Sequence, residues 1–192
     1  IYMKNINRRT AIKTVLAGGA ALAVSGVSAQ SKQSKKNVPA PLKGNIRHSV
    51  SKWCFGNYDL DEFCKICKRI GIESVELLDP KDWPIVQQNG LTVAMAQGAG
   101  LGIDRAFNDP SLHDELVKSY EEVIPQVAAA GLTNLICFAG KRNGVTDLQG
   151  WENCEKGLKR ILPIAEKHNV VLTMELLNSV GHKDYLCDHT VW

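Results

Sequence analysis

The sequence lacks an excess of charge beyond its first 29 residues. Residues 1–29 contain Lys4, Arg8, Arg9 and Lys13 and no acidic residue, and they account for the formal net charge of +3. The rest of the chain has 19 basic and 20 acidic residues. A near-neutral body provides no electrostatic attraction for nucleic acid or for an anionic membrane surface. We therefore expect no nucleic-acid partner.

The sequence also lacks a hydrophobic run long enough for a transmembrane helix. Its best candidate, TVLAGGAALAVSG, is rich in Ala and Gly and is shorter than the roughly 18–20 strongly apolar residues of a span. The paired arginines of NRRTAIK precede it and the small residues of VSA, at 27–29, follow it. This arrangement resembles a twin-arginine export signal, with an uncleaved anchor as the alternative. It predicts a signal peptide at 1–29, export to the periplasm by the twin-arginine (Tat) translocase, and a flexible linker at 30–44.

Nucleotide-binding motifs are missing as well. No strand-like segment is followed by a G-x-G-x-x-G turn, and there is no Walker-type loop. Gly98, Gly100 and Gly102 have G-x-G-x-G spacing, but they lead into IDRAFNDPS rather than a helix. We interpret them as a loop.

From residue 45 onward, strand-like and helix-like segments alternate. The strand-like segments are 46–53 (IRHSVSKW), 71–77 (GIESVEL), 90–96 (GLTVAMA), 131–137 (GLTNLIC) and 169–175 (NVVLTME). Apolar residues at helical spacing predict helices at 59–70, 111–130 and 147–168, and a short, weak one between the second and third strands.

Capping residues and prolines set the expected helix ends. Asp59 and Ser111 stand where a helix N-cap is expected. Pro125 and Pro163 occupy matching places near the ends of the last two helices, which predicts a kink or an interruption there.

This alternation predicts a parallel α/β fold built from right-handed crossovers. The two candidate architectures are an open doubly wound sheet and a (β/α)8 TIM barrel. A barrel unit takes about 31 residues, so residues 45–192 hold nearly five units. The expected fold is a TIM barrel of which only about the first five strands are present, with a complete five-stranded open sheet as the alternative.

One strand end carries a charge. At the seventh position of the last four strand-like segments stand Leu77, Ala96, Cys137 and Glu175. Active sites of parallel α/β folds gather at the carboxyl ends of the strands. A carboxylate buried there requires a cation, a metal or strong donors. Glu175 is therefore the leading candidate for a site residue, and a structural ion pair with a neighbouring strand is the alternative.

Several motifs resemble the hydroxypyruvate isomerase family, which belongs to the xylose-isomerase-like TIM barrels together with sugar epimerases. The similar stretches are GIESVELLDPKDWP, LICFAG and MELLNS…HKDY followed by DHTVW, and the likeness extends to the exported twin-arginine members. It implies one divalent metal, Mg²⁺ or Mn²⁺, with Glu175 as the first of four ligands and as half of a catalytic acid/base pair. The implied reaction converts hydroxypyruvate to tartronate semialdehyde through an enediolate.

The resemblance also implies substrate contacts. Asn178 matches the family's E-x-x-N pattern and is expected to orient the substrate or its loop, and His182 is expected to contact the substrate. Independently of the resemblance, His48 on the first strand and Glu76 on the second are further candidate substrate-binding residues if their side chains face the barrel interior rather than the helices. The other three metal ligands and the second catalytic Glu would lie beyond Trp192, so we expect this chain alone to be truncated and inactive.

The six cysteines show no metal-finger spacing. The C-x-x-C pair Cys64 and Cys67 lies inside an amphipathic helix rather than before one. An even count in an exported protein is compatible with disulfides, but we expect free, mostly buried thiols.

Three function classes remain at this point. The first is a metal-dependent isomerase or epimerase that acts on a small sugar or keto acid. The second is a DNA-repair endonuclease on the same barrel, which the near-neutral body and the export signal disfavour. The third is a non-catalytic exported sugar-binding barrel.

Overall fold

The structure, a computed structural model, describes residues 45–189. The predicted signal peptide at 1–29 and the predicted linker at 30–44 lie outside these residues. Between 45 and 189, no helix combines the length and the apolar character needed to cross a membrane.

Short strands alternate with longer helices. The strands are β1 (Ser49–Ser51), β2 (Ser74–Glu76), β3 (Asn134–Cys137) and β4 (Val171–Met174). The helices are α1 (Leu60–Ile70), α2 (Trp83–Gln88), α3 (His113–Ala129) and α4 (Asp147–Lys167), with 3-10 turns at Lys52–Phe55 and Pro110–Leu112.

Between residues 45 and 189, β1 to β4 pair in parallel and in chain order, and the one antiparallel contact is an isolated bridge between Lys141 and Tyr185. β1 pairs with β2, and β3 pairs with β4. Residues 92–96, within the predicted third strand, join the two pairs by isolated parallel bridges. These bridges are Ser74 to Thr92, Leu78 to Ala96, and Ala96 to Leu135. A doubly wound sheet would reverse its strand order at a switch point, whereas sequential order is that of a barrel.

The first helix begins and ends as the sequence predicts. The Asp59 carboxylate accepts hydrogen bonds from the backbone N–H groups of Asp61 at 2.9 Å and Glu62 at 3.2 Å. The helix ends at Gly71, whose φ of 89° is left-handed. Asp59 is thus confirmed as an N-cap.

The start of α3 differs from the prediction. Ser111 lies inside the preceding 3-10 turn, and Asp109 is the capping residue, since its carboxylate accepts the Ser111 N–H at 3.0 Å. The predicted Ser111 cap is wrong because Asp109 caps the 3-10 turn, and α3 itself begins after Leu112, which provides no side-chain cap.

Of the kink or interruption predicted at each proline, the interruption is wrong. α3 and α4 each continue for four residues beyond Pro125 and Pro163. Val127 and Ala165, which follow the two prolines, are buried in the core. Their packing offsets the hydrogen bond that each proline removes.

The sheet separates two apolar layers. The larger layer lies between the strands and the helices, and it includes Val75 and Leu135 from the strands. A smaller cluster, Ala106, Ile136 and Phe138 with Leu77 and Met95 against it, lies on the opposite face. We call this opposite face the interior face, because in a barrel it points away from the helices.

All six cysteines are free, and five of them are buried. This confirms the expectation of mostly buried thiols, with Cys54 as the exposed one.

Candidate functional site

Glu175 follows β4 directly, at the carboxyl end of the sheet. Its N–H donates to the Cys137 carbonyl at 3.0 Å. Thr173 pairs in register with Ile136, which belongs to the interior cluster, and Met174 packs against the helix-side core. Because side chains alternate along a strand, Glu175 lies on the interior face with Thr173.

The Glu175 carboxylate is partly buried. Burial raises its pKa above the ordinary value, and the nearby His182 acts in the opposite direction. Among residues 45–189, no basic side chain forms an ion pair with it. The ion pair considered above as an alternative is therefore not formed within this part of the chain.

The turn after β4 positions His182. The Asn178 side-chain oxygen accepts the Gly181 N–H at 2.7 Å, and the Asn178 carbonyl accepts the His182 N–H at 2.9 Å. Asn178 is exposed. This geometry favours the loop-orienting part of its predicted role.

The His182 ring holds a polar atom without a protein partner. Its Nδ1 is buried and forms no hydrogen bond with a described residue. The ring lies edge-on to Tyr185, with centroids 5.3 Å apart. Since buried polar atoms are nearly always paired, Nδ1 is a candidate contact for a bound ligand.

A cluster of Asp104, Lys141 and Tyr185 holds the turn after β4 against two neighbouring loops. The Tyr185 hydroxyl is hydrogen-bonded to Asp104, and Lys141 Nζ lies 2.8 Å from an Asp104 carboxylate oxygen. These hydrogen bonds lower the pKa of Asp104 and raise the pKa values of Lys141 and Tyr185. The cluster joins the loops that follow residues 92–96, β3 and β4. The sequence does not reveal this cluster, because its members are far apart in the chain.

The two remaining predicted residues lie on different sides of the sheet. Glu76 ends β2 and is partly buried, and its neighbour Val75 packs into the helix-side core. Alternation therefore places Glu76 on the interior face. His48 is exposed, and alternation places it on the side of Val50, which packs against the helix-side core. The structure thus brings Glu76, but not His48, to the face of Glu175.

The described residues fit one ligand position of a metal site. A divalent cation such as Mg²⁺ takes several oxygen ligands. Between residues 45 and 189, no three His, Cys, Asp or Glu side chains gather closely enough to hold one. Glu175 offers a carboxylate with no basic partner, which is the donor type such a cation prefers.

A small pocket opens at the same end of the sheet. It has a volume of about 210 Å³ and is lined by Asp79, Gln97, Ile103, Phe138 and the glycine-rich loop 98–102. Gly98, Gly100 and Gly102 have φ values of 120°, 87° and 87°, which confirms the loop interpretation. We call this the glycine-loop pocket.

Solved structures share the fold at low sequence identity. An AP endonuclease of family 2 from Brucella melitensis matches with a TM-score of 0.66 and 15% identity over 76% of this chain and 60% of its own. A sugar phosphate isomerase/epimerase from Parabacteroides distasonis matches with a TM-score of 0.55 and 10% identity over 70% and 53%. A D-psicose 3-epimerase from Clostridium cellulolyticum, solved with D-tagatose, matches with a TM-score of 0.56 and 14% identity over 74% and 56%.

These matches confirm the TIM-barrel fold and include proteins of the sugar isomerase/epimerase kind. The chain spans somewhat more than half the length of each structure. No protein-family model and no curated protein sequence matches it.

Proposed function

We propose that the protein to which this chain belongs is an isomerase or epimerase. It moves a proton between adjacent carbons of a small hydroxy-carbonyl compound. The observation that carries this proposal is Glu175, a partly buried carboxylate at the carboxyl end of a barrel strand that forms no ion pair with a described residue.

Glu175 acts as the acid/base group. A carboxylate beside the reacting carbons can accept a proton from one carbon and donate it to the next. Removing a proton from the carbon beside a carbonyl leaves an enediolate, and returning it to the neighbouring carbon completes an isomerisation. A bound Mg²⁺ or Mn²⁺, with Glu175 among its ligands, would supply electrostatic stabilisation of the negative charge.

The sequence resemblance supports hydroxypyruvate as the substrate and tartronate semialdehyde as the product. The likeness to D-psicose 3-epimerase supports the alternative, epimerisation of a ketose. Both reactions need the same proton transfer, so the fold alone does not choose between them. The paired arginines before the apolar run support an exported protein.

The other two classes have weaker support. The likeness to an AP endonuclease concerns the fold, and the near-neutral body provides no net electrostatic attraction for the DNA backbone. A sugar-binding barrel without catalysis remains as an outcome of the experiment below.

The test uses the protein expressed from its complete reading frame, with Mg²⁺ or Mn²⁺ supplied. Glu175→Gln should lower turnover of hydroxypyruvate or of a ketose by about 10²–10⁴-fold, the usual contribution of an acid/base group. The matched control is Glu166→Gln, an exposed residue of α4, which should retain turnover.

Turnover by Glu175→Gln within threefold of the wild type would contradict the proposal. Tight ketose binding without turnover by the wild type would instead identify a sugar-binding barrel. Incorporation of solvent deuterium into recovered substrate gives a direct readout of the proton transfer.

A further inference from the structure

We propose that the glycine-loop pocket is a subsite for the neutral, hydroxyl-bearing end of the substrate, with Asp79 as its main polar contact. This inference rests on the proposed function and deepens it. It favours a polyhydroxy ketose over a short keto acid or a sugar with a terminal phosphate.

Two hydrogen bonds hold the backbone of the glycine-rich loop that forms the pocket wall. The Gln97 N–H donates to the Leu78 carbonyl at 3.1 Å, which fixes the start of the loop beside the end of β2. The Gly100 N–H donates to the Ser119 hydroxyl at 2.9 Å, which fixes its middle to α3. The walls are therefore formed before any ligand arrives, which reduces the entropy cost of binding.

Gly98 is required by the approach of the neighbouring loop. A Cβ atom at this position would lie 2.5 Å from Pro80 Cδ, and the φ of 120° disfavours any other residue. The same Cβ would lie 3.7 Å from Asp79 Oδ1. The absence of a side chain thus lets the Pro80 segment pack directly on the loop and places the Asp79 carboxylate beside it.

The lining suits hydroxyl groups on a carbon chain. Asp79 accepts hydrogen bonds, the Gln97 amide donates and accepts them, and Ile103 and Phe138 offer apolar surface to C–H groups. Asp79 is partly buried and forms no ion pair with a described residue. At roughly 30 Å³ for each water-sized group, 210 Å³ accommodates a chain of about three CHOH units.

The charge of the pocket opposes an anion. None of the described lining residues is basic, and the carboxylate of Asp79 repels a phosphate or carboxylate group. The nearby Lys141 does not change this balance. Its ammonium group is paired, at 2.8 Å, with the carboxylate of Asp104, the residue that follows the lining residue Ile103. A neutral polyol end is therefore the favoured occupant.

The pocket and Glu175 lie at the same end of the sheet, and Phe138 connects them. Phe138 follows Cys137, and the Cys137 carbonyl accepts the Glu175 N–H. A substrate with its reacting carbons at Glu175 can extend its remaining carbons across the end of β3 toward Asp79.

The experiment measures binding by calorimetry on the protein from its complete reading frame, with D-tagatose, D-tagatose 6-phosphate and hydroxypyruvate as probes. Wild-type protein should bind D-tagatose more tightly than its 6-phosphate. Asp79→Ala should weaken D-tagatose binding by about tenfold or more, the effect of losing a hydrogen bond to a charged group, and should leave hydroxypyruvate binding within twofold. Asp79→Asn serves as a second, conservative variant if the alanine variant folds poorly.

Asp82→Ala is the matched control, because Asp82 is in the same loop, makes no side-chain cap and is not part of the lining. The subsite is overturned if the wild type does not bind D-tagatose or binds its 6-phosphate more tightly. It is also overturned if Asp79→Ala binds D-tagatose as tightly as the wild type does, or if Asp82→Ala weakens D-tagatose binding as much as Asp79→Ala does. Turnover that depends on Glu175 while D-tagatose binding ignores Asp79 refutes the subsite alone. Binding of D-tagatose that depends on Asp79, without any turnover, supports the subsite and refutes the proposed function.

Discussion

Partial burial determines the chemistry of the single residues at this site. Glu175 loses hydration without gaining an ion pair among the described residues, and His182 Nδ1 is buried without a hydrogen-bond partner. Exposed groups of the same types would form their hydrogen bonds with water, so a ligand would gain little by contacting them. The two side chains lie in the same electrostatic neighbourhood, so a ligand atom that satisfies one of them also changes the environment of the other.

The position of Glu175 could be predicted because a charge at the end of an apolar strand is visible in the sequence. The positions of Asp79 and Asp104 could not be predicted in this way. They lie in loops whose course is set by left-handed glycines and by contacts with residues far along the chain. The face of the sheet on which His48 lies could not be predicted either. It depends on the strand register, which one sequence does not reveal.

Exposure distinguishes one cysteine from the other five. In native protein a thiol reagent such as Ellman's reagent should react quickly with Cys54 and slowly with the rest. Six thiols should react in denaturant without reductant, and Cys54→Ser should remove the fast phase. A count below six in denaturant would show that disulfides form.

At the scale of elements, α1 depends on its N-cap. Asp59→Ala should lower the free energy of unfolding by about 1 kcal/mol, because it removes the acceptor for two backbone N–H groups at the helix start. Urea unfolding monitored by circular dichroism measures this change.

Glu62→Gln is the control for this substitution. It removes a negative charge from the same first turn and leaves the cap in place, so its effect should be a few tenths of a kcal/mol. Equal losses for the two variants would show that charge near the helix end, rather than capping, stabilises α1.

Element types were predictable and element ends less so. The helices of the sequence prediction are present, because long apolar stripes at helical spacing give a strong signal. The third strand is reduced to isolated bridges, and α3 starts after an unforeseen 3-10 turn. These details depend on competition between neighbouring caps and on sheet pairing, which local sequence does not determine.

At the scale of the whole molecule, the buried thiols make stability fall in alkali. Burial raises the pKa values of Cys137 and Cys154 to about 12 and that of Cys64 to about 11, from an ordinary 9.0. The unfolded chain therefore loses these protons first as the pH rises. The contribution to stability is fully present below about pH 9 and is lost as the pH approaches 11–12.

Urea unfolding between pH 7 and pH 10.5 tests this expectation. The free energy of unfolding should decline above about pH 9, and the decline should be shallower in Cys154→Ala, whatever its stability at pH 7. Cys54→Ser should retain the wild-type slope, because Cys54 is exposed. A slope in Cys154→Ala equal to that of the wild type would contradict a role for buried thiols.

The sequential pairing of the strands bears on the order in which this chain folds. Each segment hydrogen-bonds the one that precedes it, so that paired residues such as Ala96 and Leu135 are only 39 positions apart. Closing loops of this size costs little more entropy than closing shorter ones. Each strand can therefore dock on a completed neighbour as it leaves the ribosome, and β4, which precedes Glu175, docks on a β3 that is already in place.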